Sequence, residues 1–120
     1  MTKILIVDDS PTQMANMVKI VQAQGFEAVT ATNGMEGIEK AKSEKPDLVL
    51  MDVVMPELNG FQATRKITKD PDTQHIPVVL VTTKDQDTDK VWGERQGASA
   101  YLVKPVQEQE LVATIKKLLG

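Results

Sequence analysis

The chain predicts an α/β fold, a doubly wound parallel sheet of the (βα)5 kind, on three observations. Five strand-length apolar runs recur along the 120 residues: Ile4–Val7, Ala28–Ala31, Leu48–Met51, Val78–Val81 and Tyr101–Val103. Their nearly continuous apolarity suits strands covered on both faces, as in a parallel sheet. Helical patterns lie between them, and right-handed crossovers of that length put helices on both faces. Polar and charged residues collect just after the apolar runs, where such sheets carry their chemistry.

Each element has its own signals. After the first run, Ser10 suits a helix cap, Pro11 its first turn and Gln13 the capping-box position. Met14, Met17, Val18 and Val21 then fall on one helical stripe, read as core packing. Gly25 is a plausible stop before the second run. Asn33 with Glu36 opens a second helix, whose stripe of Met35, Ile38 and Ala41 is weaker. Asn59 before Gly60 opens a third. The segment between Asp85 and Gln96 is mostly polar, and Gly93 within it costs a helix about 1 kcal/mol relative to alanine. Leu111, Ile115, Leu118 and Leu119 mark the last helix.

Composition narrows the function. Hydrophobic content of 41% and charged content of 26% are ordinary for a globular domain. A net charge of −3 argues against a broad nucleic-acid-binding surface. Without cysteine there is no disulfide or thiolate metal site, which is compatible with the cytoplasm. The N-terminal apolar run is too short for a signal peptide, and no segment approaches the ~20 apolar residues of a membrane span. The expectation is a single cytoplasmic domain over residues 1–120, with no output domain and no membrane insertion.

The strand ends carry the chemistry. Asp8 and Asp9 follow the first run, Asp52 the third, Thr82 and Thr83 the fourth, and Lys104-Pro105 the fifth. Three clustered carboxylates cannot all stay ionised unaided. A divalent cation together with Lys104 would balance them, and hard oxygen ligands suit Mg²⁺, with Mn²⁺ a workable substitute. Such a constellation suits phosphoryl transfer to a carboxylate. Asp52 would be the nucleophile, Lys104 and the metal would neutralise phosphoryl oxygens, and Thr82 would donate a hydrogen bond to one of them. Taken singly, each residue has a plainer explanation. Asp8 and Asp9 could be an acid pair favoured by a helix dipole, Lys104 a solvated lysine, and Thr82 and Tyr101 ordinary strand residues. Trp92 could anchor a partner or pack on its own domain, and His75 reads as a loop residue. The joint arrangement outweighs these separate readings.

The pieces VDDS, LVLMDVVMPELNG, VTT and YLVKP, in this order and spacing, resemble the receiver domain of two-component response regulators from about Lys3 to Leu119. The resemblance implies a flavodoxin-like, CheY-like sheet of order 2-1-3-4-5. It implies that Asp52 accepts phosphate from a histidine kinase or histidine-phosphotransfer domain. It further implies that Asp9, Asp52 and the Val54 carbonyl bind Mg²⁺ directly, with Asp8 acting through water. Thr82 and Tyr101 would form a switch pair, and the Lys104-Pro105 bond would be cis. Such a domain catalyses its own phosphorylation and dephosphorylation and is not an enzyme acting on other substrates. Within the family, GFQATRKITKD and VTTKDQDTDKVWGERQGASAYLVKPV are most similar to PilH-type regulators of twitching motility by type IV pili. Two residues depart from the usual pattern. Val54 is apolar where many relatives are polar, and Lys84 is cationic; both positions flank the hydrolytic water in this family.

By the same resemblance, phosphorylation would alter a surface carrying Val91, Trp92, Tyr101 and Val106, recognised by an unknown phosphorylation-dependent output protein. Two other classes remain open. One is a phosphate sink that drains the kinase without an output target. The other is an aspartate-nucleophile phosphatase of the haloacid-dehalogenase kind, which carries an acid–base Asp where this chain has Val54.

Overall fold

The computed structural model describes residues 1–120. The elements follow strict alternation: β1 (Lys3–Val7), α1 (Pro11–Ala23), β2 (Glu27–Ala31), α2 (Gly34–Ser43), β3 (Leu48–Met51), α3 (Gly60–Lys69), β4 (Val78–Thr82), α4 (Asp87–Arg95), β5 (Ala100–Val103) and α5 (Glu108–Leu119). All strands pair in parallel in the order β2-β1-β3-β4-β5. The predicted fold class and strand order are the observed ones. No helix is long and apolar enough to cross a membrane.

The apolar strands make two cores because successive side chains leave the sheet on opposite faces. Ile4, Ile6, Leu48, Leu50, Val79 and Val81 pack with Met17, Ile20 and Val21 of α1 and with Leu111 and Ile115 of α5. Leu5, Val7, Val49, Met51, Val78 and Leu80 pack with Ala41 of α2 and with Phe61, Ala63 and Ile67 of α3. Double coverage holds for β1, β3 and β4. It does not hold for β2, where Glu27 is exposed and Ala28, Val29 and Thr30 are half-buried, nor for most of β5. Both are edge strands, so one side of each lacks a neighbour.

Helix starts follow the sequence signals with one exception. Asn33 accepts from the Glu36 amide at 2.8 Å. Asn59 and Gln62 form a full capping box, with bonds of 2.9 and 3.0 Å. Ser10 Oγ accepts from the Gln13 amide at 3.4 Å, but Gln13 does not return the bond. The Ser10 amide donates instead to Asp8 Oδ1 at 2.8 Å. Gly25, at φ 83°, ends α1 in a backbone region that favours glycine.

One expectation about the helices needs correction. The sequence puts Met35 on the apolar stripe of α2, yet it is 52% exposed. The buried face of α2 runs through Gly34, Gly37 and Ala41. A Cβ at Gly37 would come within 2.9 Å of a Val7 methyl, so the helix sits too close to β1 for a large side chain there. Gly93 of α4 has the same cause: a Cβ would meet Leu80 Cδ1 at 2.7 Å and the Tyr101 ring at 3.1 Å. Its propensity cost is the condition for α4 to lie against β4 and β5.

Candidate functional site

The carboxyl ends of β1 and β3 are neighbours, so their register decides which side chains meet. Val7 lies opposite Met51, and the Asp52 amide donates to the Val7 carbonyl at 2.9 Å. The next residue on each strand is therefore a carboxylate, Asp8 beside Asp52. On the far side of Asp52, the Gly60 amide donates to the Val53 carbonyl at 2.9 Å and brings the start of α3 against the loop. A Cβ on Gly60 would stand 2.1 Å from the Asp52 carbonyl oxygen. The glycine of the MPELNG stretch is thus required by close approach to the backbone of Asp52.

Asp8, Asp9 and Asp52 each offer a carboxylate oxygen within 4.8 Å of the other two. Asp8 and Asp52 are buried and Asp9 is exposed. Burial pushes the Asp52 carboxyl above the usual aspartate range, and the negative charge of Asp8 adds to the rise. Lys104 and the backbone amides of Val53 and Val54 oppose it without cancelling it. Lys104, with a side chain 12% exposed, reaches over from β5. Its Nζ donates to Asp8 Oδ2 at 2.8 Å and lies 3.7 Å from Asp52 Oδ1. A third partner is the side-chain carbonyl of Gln13. Three carboxylates against one ammonium leave negative charge uncompensated, and an all-oxygen donor set with one solvent-facing member fits a hard divalent cation.

Thr82 ends β4, fully buried, and its Oγ1 accepts from the Lys84 amide at 3.3 Å. The Tyr101 hydroxyl donates to the Lys84 carbonyl at 2.8 Å. Thr82 and Tyr101 therefore do not touch through these groups; both are tied to the Lys84 backbone. Burial, with Asp89 and Asp85 nearby, pushes the Tyr101 phenol up to about 12. The Lys84 ammonium stands 4.0 Å from Asp89. Val54 is 53% exposed beside Asp52. The Lys104-Pro105 bond is cis.

Val91 and Trp92 project from α4 about half exposed, and Tyr101 packs on the same side of the sheet. Val106 is half-buried against the core beneath α1 and α5. His75 is exposed, in the turn before β4. Sequence reasoning missed Gln13 as a site residue. Its capping-box spacing concealed it, since the Ser10 amide that it would cap is taken by Asp8.

Chemically, Asp52 is a carboxylate with an approach from solvent, a cation within reach, a hydroxyl on the neighbouring strand and room for a metal at its side. The chain matches the response regulator receiver domain family over residues 4–116. It is 58% identical over 120 residues to Protein PilH of Pseudomonas aeruginosa, covering 100% of this chain and 99% of that one. The chemotaxis protein CheY4 of Vibrio cholerae superposes with a TM-score of 0.92 at 30% identity, covering 98% of each chain. The receiver domain of a Pseudomonas aeruginosa sensor histidine kinase also superposes with a TM-score of 0.92, at 25% identity, covering 99% of this chain and 98% of that one. That structure has a magnesium ion coordinated in its active-site cleft.

Proposed function

Since the chain belongs to the response regulator receiver family, we propose that Asp52 is its phosphoacceptor, taking a phosphoryl group from a phosphohistidine on a partner kinase or phosphotransfer domain. The observation that carries this reading is the placement of Asp52, with Asp8 and Asp9 on one side and Lys104 3.7 Å away. One Asp52 carboxylate oxygen attacks phosphorus, the P–N bond to imidazole breaks, and the imidazole leaves as the neutral base once protonated. Lys104 neutralises phosphoryl oxygens, and Thr82 turns its hydroxyl to donate to one of them. Asp9, Asp52 and the Val54 carbonyl would hold Mg²⁺. Asp8 would support it through water, since both Asp8 oxygens already accept bonds, from Ser10 and from Lys104. Bound there, the metal supplies positive charge to the transferring group.

Phosphorylation replaces one carboxylate charge with about two negative charges. Thr82 is then drawn off the Lys84 amide, which loosens the peptide that also anchors Tyr101. The site thereby biases the α4–β5–α5 surface between two states, as a population shift. The full-length similarity to PilH supports a role in control of type IV pilus twitching motility. An apolar Val54 at the acid–base position speaks against phosphatase activity on other substrates. The test is transfer of labelled phosphate from a phosphohistidine domain. Label should move to this protein and fail to move to Asp52→Asn. A partner captured only by the phosphorylated form would support output signalling, and none would favour the phosphate sink.

A further inference from the structure

We infer that Gln13 is a positioning residue that keeps Lys104 hydrogen-bonded to Asp8 and short of hydrogen-bond distance to Asp52, and so opposes phosphorylation. The inference rests on the reading of Asp52 as phosphoacceptor. Gln13 is the third residue of α1, where a glutamine after a Ser cap ordinarily reaches back to the cap amide. That amide is already taken, donating to Asp8 Oδ1 at 2.8 Å. The Gln13 carbonyl is left free and accepts from Lys104 Nζ. Two acceptors, Asp8 Oδ2 at 2.8 Å and Gln13 Oε1, therefore fix an ammonium that stays 3.7 Å from Asp52 Oδ1.

The backbone of Lys104 is pinned as well, its amide donating to the Thr82 carbonyl at 2.8 Å. Only the side chain can move toward a group on Asp52. Moving it costs part of its hold on Asp8 and Gln13. The Asp8 contact is an ion pair, whereas the Gln13 contact comes from an exposed, uncharged side chain at the rim of the site. Gln13 is thus the partner that can be changed without altering the charge of the carboxylate cluster. A side chain of equal reach and no acceptor, methionine, should release Lys104. A glutamate should hold it more firmly, because a charged acceptor strengthens the bond.

The probe is beryllium trifluoride, a tetrahedral phosphoryl mimic, titrated at saturating Mg²⁺ into the parent, Gln13→Met and Gln13→Glu. Apparent affinity should rise about three- to tenfold in Gln13→Met, the range of one ordinary net hydrogen bond. It should fall about threefold in Gln13→Glu. A second, metal-free readout is the side-chain ¹⁵N signal of Lys104, which should be protected from exchange in the parent and lose protection in Gln13→Met. Equal affinities across the three proteins, or a weaker Gln13→Met, would overturn the inference alone, provided the parent binds and Asp52→Asn does not. A parent that takes no fluoroberyllate would overturn the Asp52 reading and the inference with it.

Discussion

Asp52 sits where its charge is poorly solvated, 7% exposed and next to another carboxylate. Its folded-state pKa is raised, so between the usual aspartate value of 3.8 and that raised value the folded chain binds more protons than the unfolded one. The metal-free protein therefore loses stability from this residue as pH rises through that window. Asp52→Asn removes the loss. Urea midpoints of metal-free parent and variant should be close at pH ~4 and diverge toward pH ~7, with the variant the more stable. A variant equally or less stable at pH ~7 would contradict the electrostatics described. Val54 belongs to the same scale. As an exposed apolar neighbour of Asp52 it cannot orient a water, so Val54→Asn should change the dephosphorylation rate several-fold. Decay of the phosphorylated variant at the parent's rate would exclude that role.

At the scale of elements, glycines decide how close helices come to the sheet. A methyl group on Gly60 would meet only backbone, the Asp52 carbonyl oxygen and Val53 Cα at 2.1 and 2.7 Å, which cannot yield as a side chain does. Gly60→Ala should cost about 3 kcal/mol or more, from equilibrium unfolding, and should weaken Mg²⁺ binding by displacing Asp52. Gly25→Ala is the contrast, with open space around it and only its φ of 83° to strain, at about 1 kcal/mol. If the two variants were equally stable, the close approach of α3 to Asp52 would not be what fixes that glycine. The same elements show what the sequence could and could not convey. The continuous apolarity of β1, β3 and β4, the caps at Ser10, Asn33 and Asn59, and carboxylates just past two neighbouring strands were all legible. The buried face of α2 was not, because Gly34 and Gly37 carry no hydrophobic signal. The exposure of β2 follows from its place at the edge, which pairing decides and local apolarity does not. Gln13 fits a cap in sequence, and only the competing bond from Ser10 to Asp8 releases it for Lys104.

At the scale of the whole molecule, the fold gathers groups that the chain keeps far apart. Asp8 and Lys104 are separated by 96 residues, yet they form the tightest ion pair of the site. The order β2-β1-β3-β4-β5 puts the two carboxylate-bearing strands side by side at the centre, while the strand that supplies Lys104 and Tyr101 lies at the edge. On the proposed reading, a charge change at the centre would reach this exposed edge through Thr82 and Tyr101, which both bond to the Lys84 backbone. The most direct test is incubation of the purified protein with Mg²⁺ and acetyl phosphate, followed by mass analysis. The account predicts the gain of a single phosphoryl group, its dependence on the metal, and its loss in Asp52→Asn. A gain that survives in Asp52→Asn, or no gain from either acetyl phosphate or a phosphohistidine donor, would contradict it.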